Sequence, residues 1–238
     1  EKKGSDFILN GAKSFISNAG AASFYTTLAK ENDGYSLFLV PADSEGLQIM
    51  ASPEIIAPHV LGELEFHDVV LPENSRLGEP GDAFRHVLAT LSVFRISVAG
   101  AALGLMEGAL REAVIHTSNR EQFGRSLAKH GPVATLLADS WADLESSRFL
   151  TYQTASLAGE DPAGNLDRSS LAKLAATEAA TRVVDRCVQS MGRWGLIRGS
   201  KIEKYYRQAR PMRVYEGASE VLRLGIAARL VREYENGS

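Results

Sequence analysis

The run Val214-Tyr215-Glu216-Gly217-Ala218-Ser219-Glu220-Val221 holds the residues with the clearest chemical potential. A carboxylate stands between a phenol and a glycine, and a helical pattern follows at once. Val221, Leu222, Leu224, Ile226 and Leu230 mix with Arg223, Arg229 and Arg232, the spacing of an amphipathic helix. Gly217 lets the backbone bend sharply or approach a ligand closely. Glu216 is thereby set just before a helix N-terminus, at the mouth of whatever that helix frames. The alternative is a surface acid that favours the positive end of the helix dipole.

Three further polar clusters fall at helix ends or in turns, where side chains can converge. In Lys13-Ser14-Phe15-Ile16-Ser17-Asn18 an aromatic beside hydroxyl and amide groups could stack on a flat ring and hydrogen-bond its edge. The same run also reads as a strand with an Asn turn. In Arg120-Glu121-Gln122-Phe123-Gly124-Arg125 the guanidinium of Arg120 suits phosphate, which it can bind bidentately; a solvated interhelical loop is the alternative. In Gln189-Ser190-Met191-Gly192-Arg193-Trp194-Gly195 two glycines permit backbone approach to a ligand, although a helix C-cap explains Gly192 equally well.

The elements that position these clusters follow from periodicity and punctuation. Residues 1–80 read as β structure: Phe7-Ile8-Leu9 runs into Asn10-Gly11, a tight-turn signal, and Lys13 to Asn18 follows as a second short strand. Phe24 to Ala29 and Tyr35 to Val40 are rich in β formers, with a turn expected at Asn32-Asp33-Gly34. Leu47 to Ile56 and Leu64 to Leu71 are further strands, punctuated by Pro53, Pro58 and Pro72. The first edge of this sheet has no partner within the chain, so an upstream segment is expected to pair with it. Composition shifts at Gly78-Glu79-Pro80-Gly81-Asp82, which places the domain boundary there. Asp82 can cap a helix running to about Asn119, with an apolar face that includes Phe84, Leu88, Phe94, Ala102, Met106 and Ala109. Helices are expected from about Pro132 to Ala158, from Ser169 to Met191, around Lys201 to Arg207, and from Ser219 onward, with a loop from Gly159 to Asp167. The expected fold is α+β. A partial antiparallel β-barrel or sandwich over residues 1–80 precedes an antiparallel four-helix bundle over 81–238.

Composition narrows the partners. The chain has 238 residues, 45% of them hydrophobic, and a net charge of -3. Acids and bases are interspersed, which excludes nucleic acid or an anionic membrane as the default partner. No apolar run is expected to span a membrane, and no secretory signal opens the chain. The lone Cys187 rules out an intrachain disulfide framework and suits a reducing compartment. The five His lack metal-ligand spacing, so no metal is expected. The chain starts at Glu1 without a Met, as a fragment would.

Taken together, the order and spacing of the four clusters resemble the acyl-CoA dehydrogenase family across essentially the whole chain. Arg120-x-Gln122-Phe123-Gly124 resembles its R-x-x-F-G loop, and Gln189-x-x-Gly192-x-x-Gly195 its Q-x-x-G-G-x-G turn. Tyr205-Tyr206-Arg207 with Arg213 to Ser219 resembles its Y-R-x-x-R…I-Y-E-G-[TA]-[ST] signature, and Phe15-Ile16-Ser17-Asn18 its W-I-[ST]-N strand. The resemblance implies Glu216 as the base that takes the α-proton of an acyl-CoA thioester. It implies Phe15, Ile16 and Ser17 along the flavin ring of FAD. Arg120, Gln122, Phe123, Gln189, Gly192 and Arg193 would reach the FAD of a neighbouring subunit, and Ala218 and Glu220 would contact the cofactor after the base. Arg95 would lie near CoA, with Tyr215 and Gly217 bordering the thioester.

It also implies a trans-2-enoyl-CoA product, an electron-transferring flavoprotein as acceptor, and a homo-oligomer, usually a tetramer. Location would be a bacterial cytoplasm or a mitochondrial matrix. An oxygen-using relative (acyl-CoA oxidase or flavin monooxygenase) and a non-catalytic acyl-CoA-binding or assembly module remain alternatives. Four positions depart from the family pattern: Phe15 for Trp, Ser92 for the Asp of D-x-x-R, Gly131 for Gln, and Arg193 for Gly. The family's N-terminal helical domain and its E-P-x-x-G-S-D segment have no counterpart here.

Overall fold

The computed structural model describes residues 1–31, 34–159, 161 and 164–237. Two compact units divide at Leu88 and Ala89.

The N-terminal unit packs two antiparallel sheets. One contains β1 (Lys2–Lys3), β2 (Asp6–Ser17), β5 (Leu47–Ala51) and β6 (Leu61–Leu71) in the order β1-β2-β6-β5. The other contains β3 (Phe24–Glu31), β4 (Gly34–Pro41) and β7 (Arg76–Leu77) in the order β3-β4-β7. Alternating inward residues make one core: Phe7 and Leu9 from β2, Tyr25 from β3, Phe38 and Val40 from β4, and Leu64, Phe66, Val69 and Leu71 from β6. Phe7 and Phe38 meet edge to face across the two sheets at 5.0 Å.

Asn10-Gly11 is not a tight turn. β2 runs straight through it, paired with β6 on both sides, and the register slips between Leu9↔Val69 and Gly11↔Phe66. The extra residue lies on β6, where Asp68 takes φ 50°. The amide of Asn10 holds it by donating to the Asp68 carboxylate at 2.9 Å and accepting from the Asp68 N–H at 2.8 Å. Gly11 at φ 138° accommodates the slip rather than reversing the chain. Lys13 to Ser17 is therefore the far end of β2 and not a separate strand. β5 stops at Ala51, short of Pro53, and β6 starts three residues before the expected Leu64. The turn expected at Asn32-Asp33 lies outside the described residues.

The C-terminal unit is a helical bundle, as the sequence pattern requires. α1 (Ala83–Asn119), α2 (Gly131–Ala158), α3 (Leu166–Met191), α4 (Lys201–Met212) and α5 (Ser219–Glu235) follow in order. Its core is a stripe of small and aliphatic residues: Ala99, Ala102, Met106 and Ala109 from α1 against Ala176, Ala180, Val183 and Val184 from α3. A Cβ on Gly108 would meet the Tyr205 hydroxyl at 2.8 Å. α2 runs antiparallel to α3, and Asp143 ties them by accepting from Arg182 and Arg186.

α1 is long and apolar enough to cross a membrane by length and composition, which the sequence reading did not anticipate. Its stripe from Ala99 to Ala113 packs into the bundle core, the behaviour of a core helix. Phe84, Leu88 and Phe94, expected on the buried face, are exposed. The apolar residues of α5 are also mostly exposed: Leu222 is buried, whereas Val221, Leu224 and Leu230 face outward.

Candidate active site

The loop that joins α4 to α5 is a short, heavily fastened bend. The N–H groups of Val214 and Tyr215 both donate to the Pro211 carbonyl, and Ser219 N–H closes the loop onto the Arg213 carbonyl at 3.0 Å. Glu178 on α3 grips both ends of it. It accepts from Arg213 Nε at 2.8 Å and from the Ser219 hydroxyl at 2.6 Å. Burial pushes the Glu178 carboxyl up, but the bonds from Ser219 and Arg213 and the charge of Arg223 outweigh it and hold the group below its ordinary value.

At the crest of the bend the backbone is unusual. Glu216 takes φ 55° and Gly217 φ 100°, so a non-glycine residue sits in the left-handed region. Such a conformation costs on the order of 1–3 kcal/mol and persists only where the surroundings enforce it. Two cations do so. Arg95 Nε on α1 donates to the Glu216 carbonyl at 3.0 Å, and Lys173 Nζ on α3 donates to the Gly217 carbonyl at 2.8 Å. Arg95 also reaches the Ser170 hydroxyl at 2.9 Å. A side chain at 217 would meet Arg95 Nη2 and Leu222 Cδ2, each at 3.1 Å, so the clamp fits glycine.

The result is a half-buried carboxylate standing above a fixed turn, beside the half-exposed Tyr215. Burial, then the Glu216 charge, pushes the Tyr215 phenol up. Lys173 is fully buried; desolvation, and next the neighbouring Arg95, bring its pKa down to about 8, against the opposing pull of Glu216, Glu178 and Glu220. Arg95 is likewise lowered by burial and partly restored by Glu216.

The residues expected to serve acyl-CoA and FAD fall into three groups. Arg95, Tyr215, Glu216, Gly217, Ala218 and Glu220 gather at the start of α5. Arg120, Gln122 and Phe123 form a two-stranded hairpin, β8 (Glu121–Gln122) and β9 (Arg125–Ser126), between α1 and α2. Gln189, Gly192 and Arg193 sit at the C-terminus of α3. Because α2 reverses the chain, the hairpin and the α3 C-terminus share one end of the bundle. Along α3, Gln189 is about 24 Å from Lys173 at 1.5 Å per residue, so these two groups do not form one site within a single chain. Phe15, Ile16 and Ser17 belong to the N-terminal unit. There Phe15 occupies a bulge at φ 55° that turns its ring outward, Ile16 packs on the sheet core, and Ser17 shares a hydrogen bond with His59 at 3.0 Å.

The hairpin end is exposed and cationic. Phe123, at φ 53°, is 94% exposed. The Arg120 guanidinium has no hydrogen bond or ion pair among the described residues, and Arg193 lies over the Trp194 ring at 5.2 Å. Gly192 takes φ 58° with open space where a Cβ would be, whereas a Cβ on Gly195 would strike the Val188 carbonyl at 2.6 Å. Gly192 therefore serves backbone conformation and Gly195 serves packing.

Lys173 is the participant the sequence reading missed. Its position was legible: Lys173, Thr177, Ala180 and Val184 repeat at helical spacing, so the lysine lies on the buried stripe of α3.

These features define an α+β protein whose helical unit presents one acid on a clamped, strained bend and a separate cationic hairpin. Comparison with known proteins gives it a family. Residues 81–231 match the acyl-CoA dehydrogenase C-terminal domain and residues 1–69 match the acyl-CoA dehydrogenase middle domain. The chain belongs to the acyl-CoA dehydrogenase family. It is 36% identical over 242 residues to the mitochondrial short-chain specific acyl-CoA dehydrogenase of Rattus norvegicus, covering 99% of this chain and 58% of that protein. It is 33% identical to the CarC subunit of the caffeyl-CoA reductase-Etf complex of Acetobacterium woodii, covering 97% and 62%. Among solved structures, butyryl-CoA dehydrogenase from Megasphaera elsdenii superposes with a TM-score of 0.91 at 30% identity, covering 97% of this chain and 62% of that one. The chain thus spans 57–62% of the length of the curated relatives it matches.

Proposed function

We propose that the protein of which this chain forms part dehydrogenates a short-chain acyl-CoA to the trans-2-enoyl-CoA, with Glu216 as the base. The observation that carries this reading is the clamped turn. A carboxylate is held on a left-handed bend whose own carbonyl and the next are committed to the partly buried Arg95 and the fully buried Lys173, so the backbone that carries the side chain is fixed. A thioester weakly acidifies its α C–H, and a fixed carboxylate within reach can take that proton. The names of the short-chain and butyryl-CoA relatives support the substrate class.

The donor set fits FAD. Arg120 and Arg193 offer guanidinium groups to a diphosphate, and Gly192 leaves room for its close approach. The exposed ring of Phe123 offers an apolar face, and the outward ring of Phe15 suits stacking on the flavin. Bound there, FAD would supply the acceptor for the hydride leaving the β-carbon. The separation between Glu216 and Gln189 supports a homo-oligomer in which the hairpin and the α3 terminus of one copy serve the cofactor at another copy's Glu216. The Etf complex to which CarC belongs supports an electron-transferring flavoprotein as the next carrier. A mitochondrial matrix or a bacterial cytoplasm fits the relatives equally.

Glu216→Gln tests the reading. It is expected to keep the bound-flavin spectrum and to slow anaerobic bleaching by butyryl-CoA by about 10²–10⁴-fold, the usual worth of a positioned base. Bleaching at the wild-type rate by this variant sinks the assignment.

A further inference from the structure

We propose that Lys173 is a positioning residue for the Glu216 base, holding the peptide that follows it and supplying a positive field beneath it; this rests on the reading of Glu216 above. α3 buries alanine, valine and threonine on this face, and a fully buried lysine among them is costly unless it is paired and hydrogen-bonded. The nearest like charge, Arg95, increases that cost. An apolar side chain of the same length would pack here without it. What the lysine gains is one bond, from Nζ to the Gly217 carbonyl at 2.8 Å, together with the field of Glu216, Glu178 and Glu220.

That bond complements the one from Arg95. Arg95 fixes the carbonyl of Glu216 and Lys173 fixes the carbonyl of Gly217, so consecutive peptide planes are each held from below. Both peptides are trans. Their N–H groups, on Gly217 and Ala218, therefore point away from the cations. The clamp thereby sets the direction of two amide donors as well as the left-handed twist that raises the Glu216 carboxylate. The groups facing Lys173 are Arg95 from α1, Glu178 from its own helix, Glu216 from the bend and Glu220 from α5.

The test uses the FAD-loaded full-length protein with butyryl-CoA as the probe, and compares Lys173→Met, which removes both charge and donor, with Lys173→Gln, which keeps a donor. Lys173→Met is expected to bind FAD normally, to leave KM within about twofold, and to lower kcat by about 10–100-fold, the scale of an ångström-sized misplacement of a reacting group. Lys173→Gln is expected to recover part of kcat. Amide exchange, measured without any acyl-CoA, is expected to quicken at Ser219, whose N–H closes the loop.

Wild-type kcat and wild-type exchange in Lys173→Met overturn the proposal. If Glu216→Gln is inactive while Lys173→Met is normal, only the role of Lys173 falls; if Glu216→Gln is active, the base assignment falls first. Failure of both lysine variants to fold makes Lys173 a purely structural residue and also overturns the proposal.

Discussion

Near the start of α3, Arg95, Lys173, Glu178 and Arg213 are all engaged in hydrogen bonds with the bend that carries Glu216. About 24 Å further along the same helix, Arg193 is exposed beside the open turn at Gly192, and Arg120 and Phe123 are exposed on the hairpin between α1 and α2. The first region is complete within one chain: its strained backbone has every support it needs. The second region presents an almost fully exposed aromatic and a guanidinium with no hydrogen bond or ion pair among the described residues. Under the function proposed above, the first region would place the chemistry and the second the binding of the cofactor.

The sharpest way to break that division is to damage each region separately. After Glu216→Gln, with the largest expected effect on rate, comes the pair Arg120→Ala and Arg193→Ala. Each is expected to weaken FAD binding to the apoprotein by about 10–100-fold, the worth of a hydrogen bond to a charged group. Neither should change the stability of the apoprotein by more than about 0.5 kcal/mol, because both side chains are exposed. Fluorescence titration with FAD and thermal unfolding measure the two quantities. If the regions serve each other across copies, hybrids assembled from Glu216→Gln chains and Arg120→Ala/Arg193→Ala chains regain activity that neither parent has. Hybrids as inactive as both parents would place the two regions in unrelated roles.

The buried cation offers a comparison by pH. Lys173 has a native pKa of about 8 against an ordinary value of 10.5. Below pH 8 the lysine is charged in both the native and the unfolded states, and its burial costs stability. Between about pH 8 and 10.5 the unfolded chain keeps a proton that the native chain has released, so the difference in bound protons is positive and stability rises with pH. The wild type is therefore expected to gain stability relative to Lys173→Met across that window, by urea unfolding of the apoprotein. A constant difference from pH 7 to 10 would mean that Lys173 stays charged in place.

Much of the architecture was legible in the sequence because it is written locally. Helices announced themselves by period and by punctuation such as Pro132 and Gly192. Asn10-Gly11 misled because a hairpin signal describes a strand's neighbour in sequence, while the actual partner of β2 is β6, whose paired residues lie 44 to 64 positions away. The apolar faces of α1 and α5 were legible, but their exposure was not, because periodicity reports that a stripe is apolar and not what covers it. At the site, Glu216 and Gly217 were visible as types. The twist of Glu216 and the clamp were not, because Arg95 and Lys173 reach the bend from 121 and 44 residues away. The family resemblance already assigned Arg120 and Gln189 to the cofactor of a neighbouring copy, and the antiparallel path of α2 and α3 agrees in keeping them at the far end of α3 from Lys173.

The smallest effect expected comes from one turn before Arg95. Ser92 is fully buried, and its hydroxyl has no partner among the described residues. The contrast is with Thr117, Thr154 and Thr177, whose buried hydroxyls each donate to a carbonyl one turn back on their own helix. A buried hydroxyl without a bond is a desolvation cost with no return. Ser92→Ala removes one oxygen and leaves the helix backbone alone, so it is expected to raise stability by about 1 kcal/mol in urea unfolding. Because Ser92 holds neither the bend nor the hairpin, turnover and FAD affinity should stay at wild-type values. A loss of turnover in this variant would mean that Ser92 sets the position of Arg95, and would extend the clamp beneath Glu216 by one turn of α1.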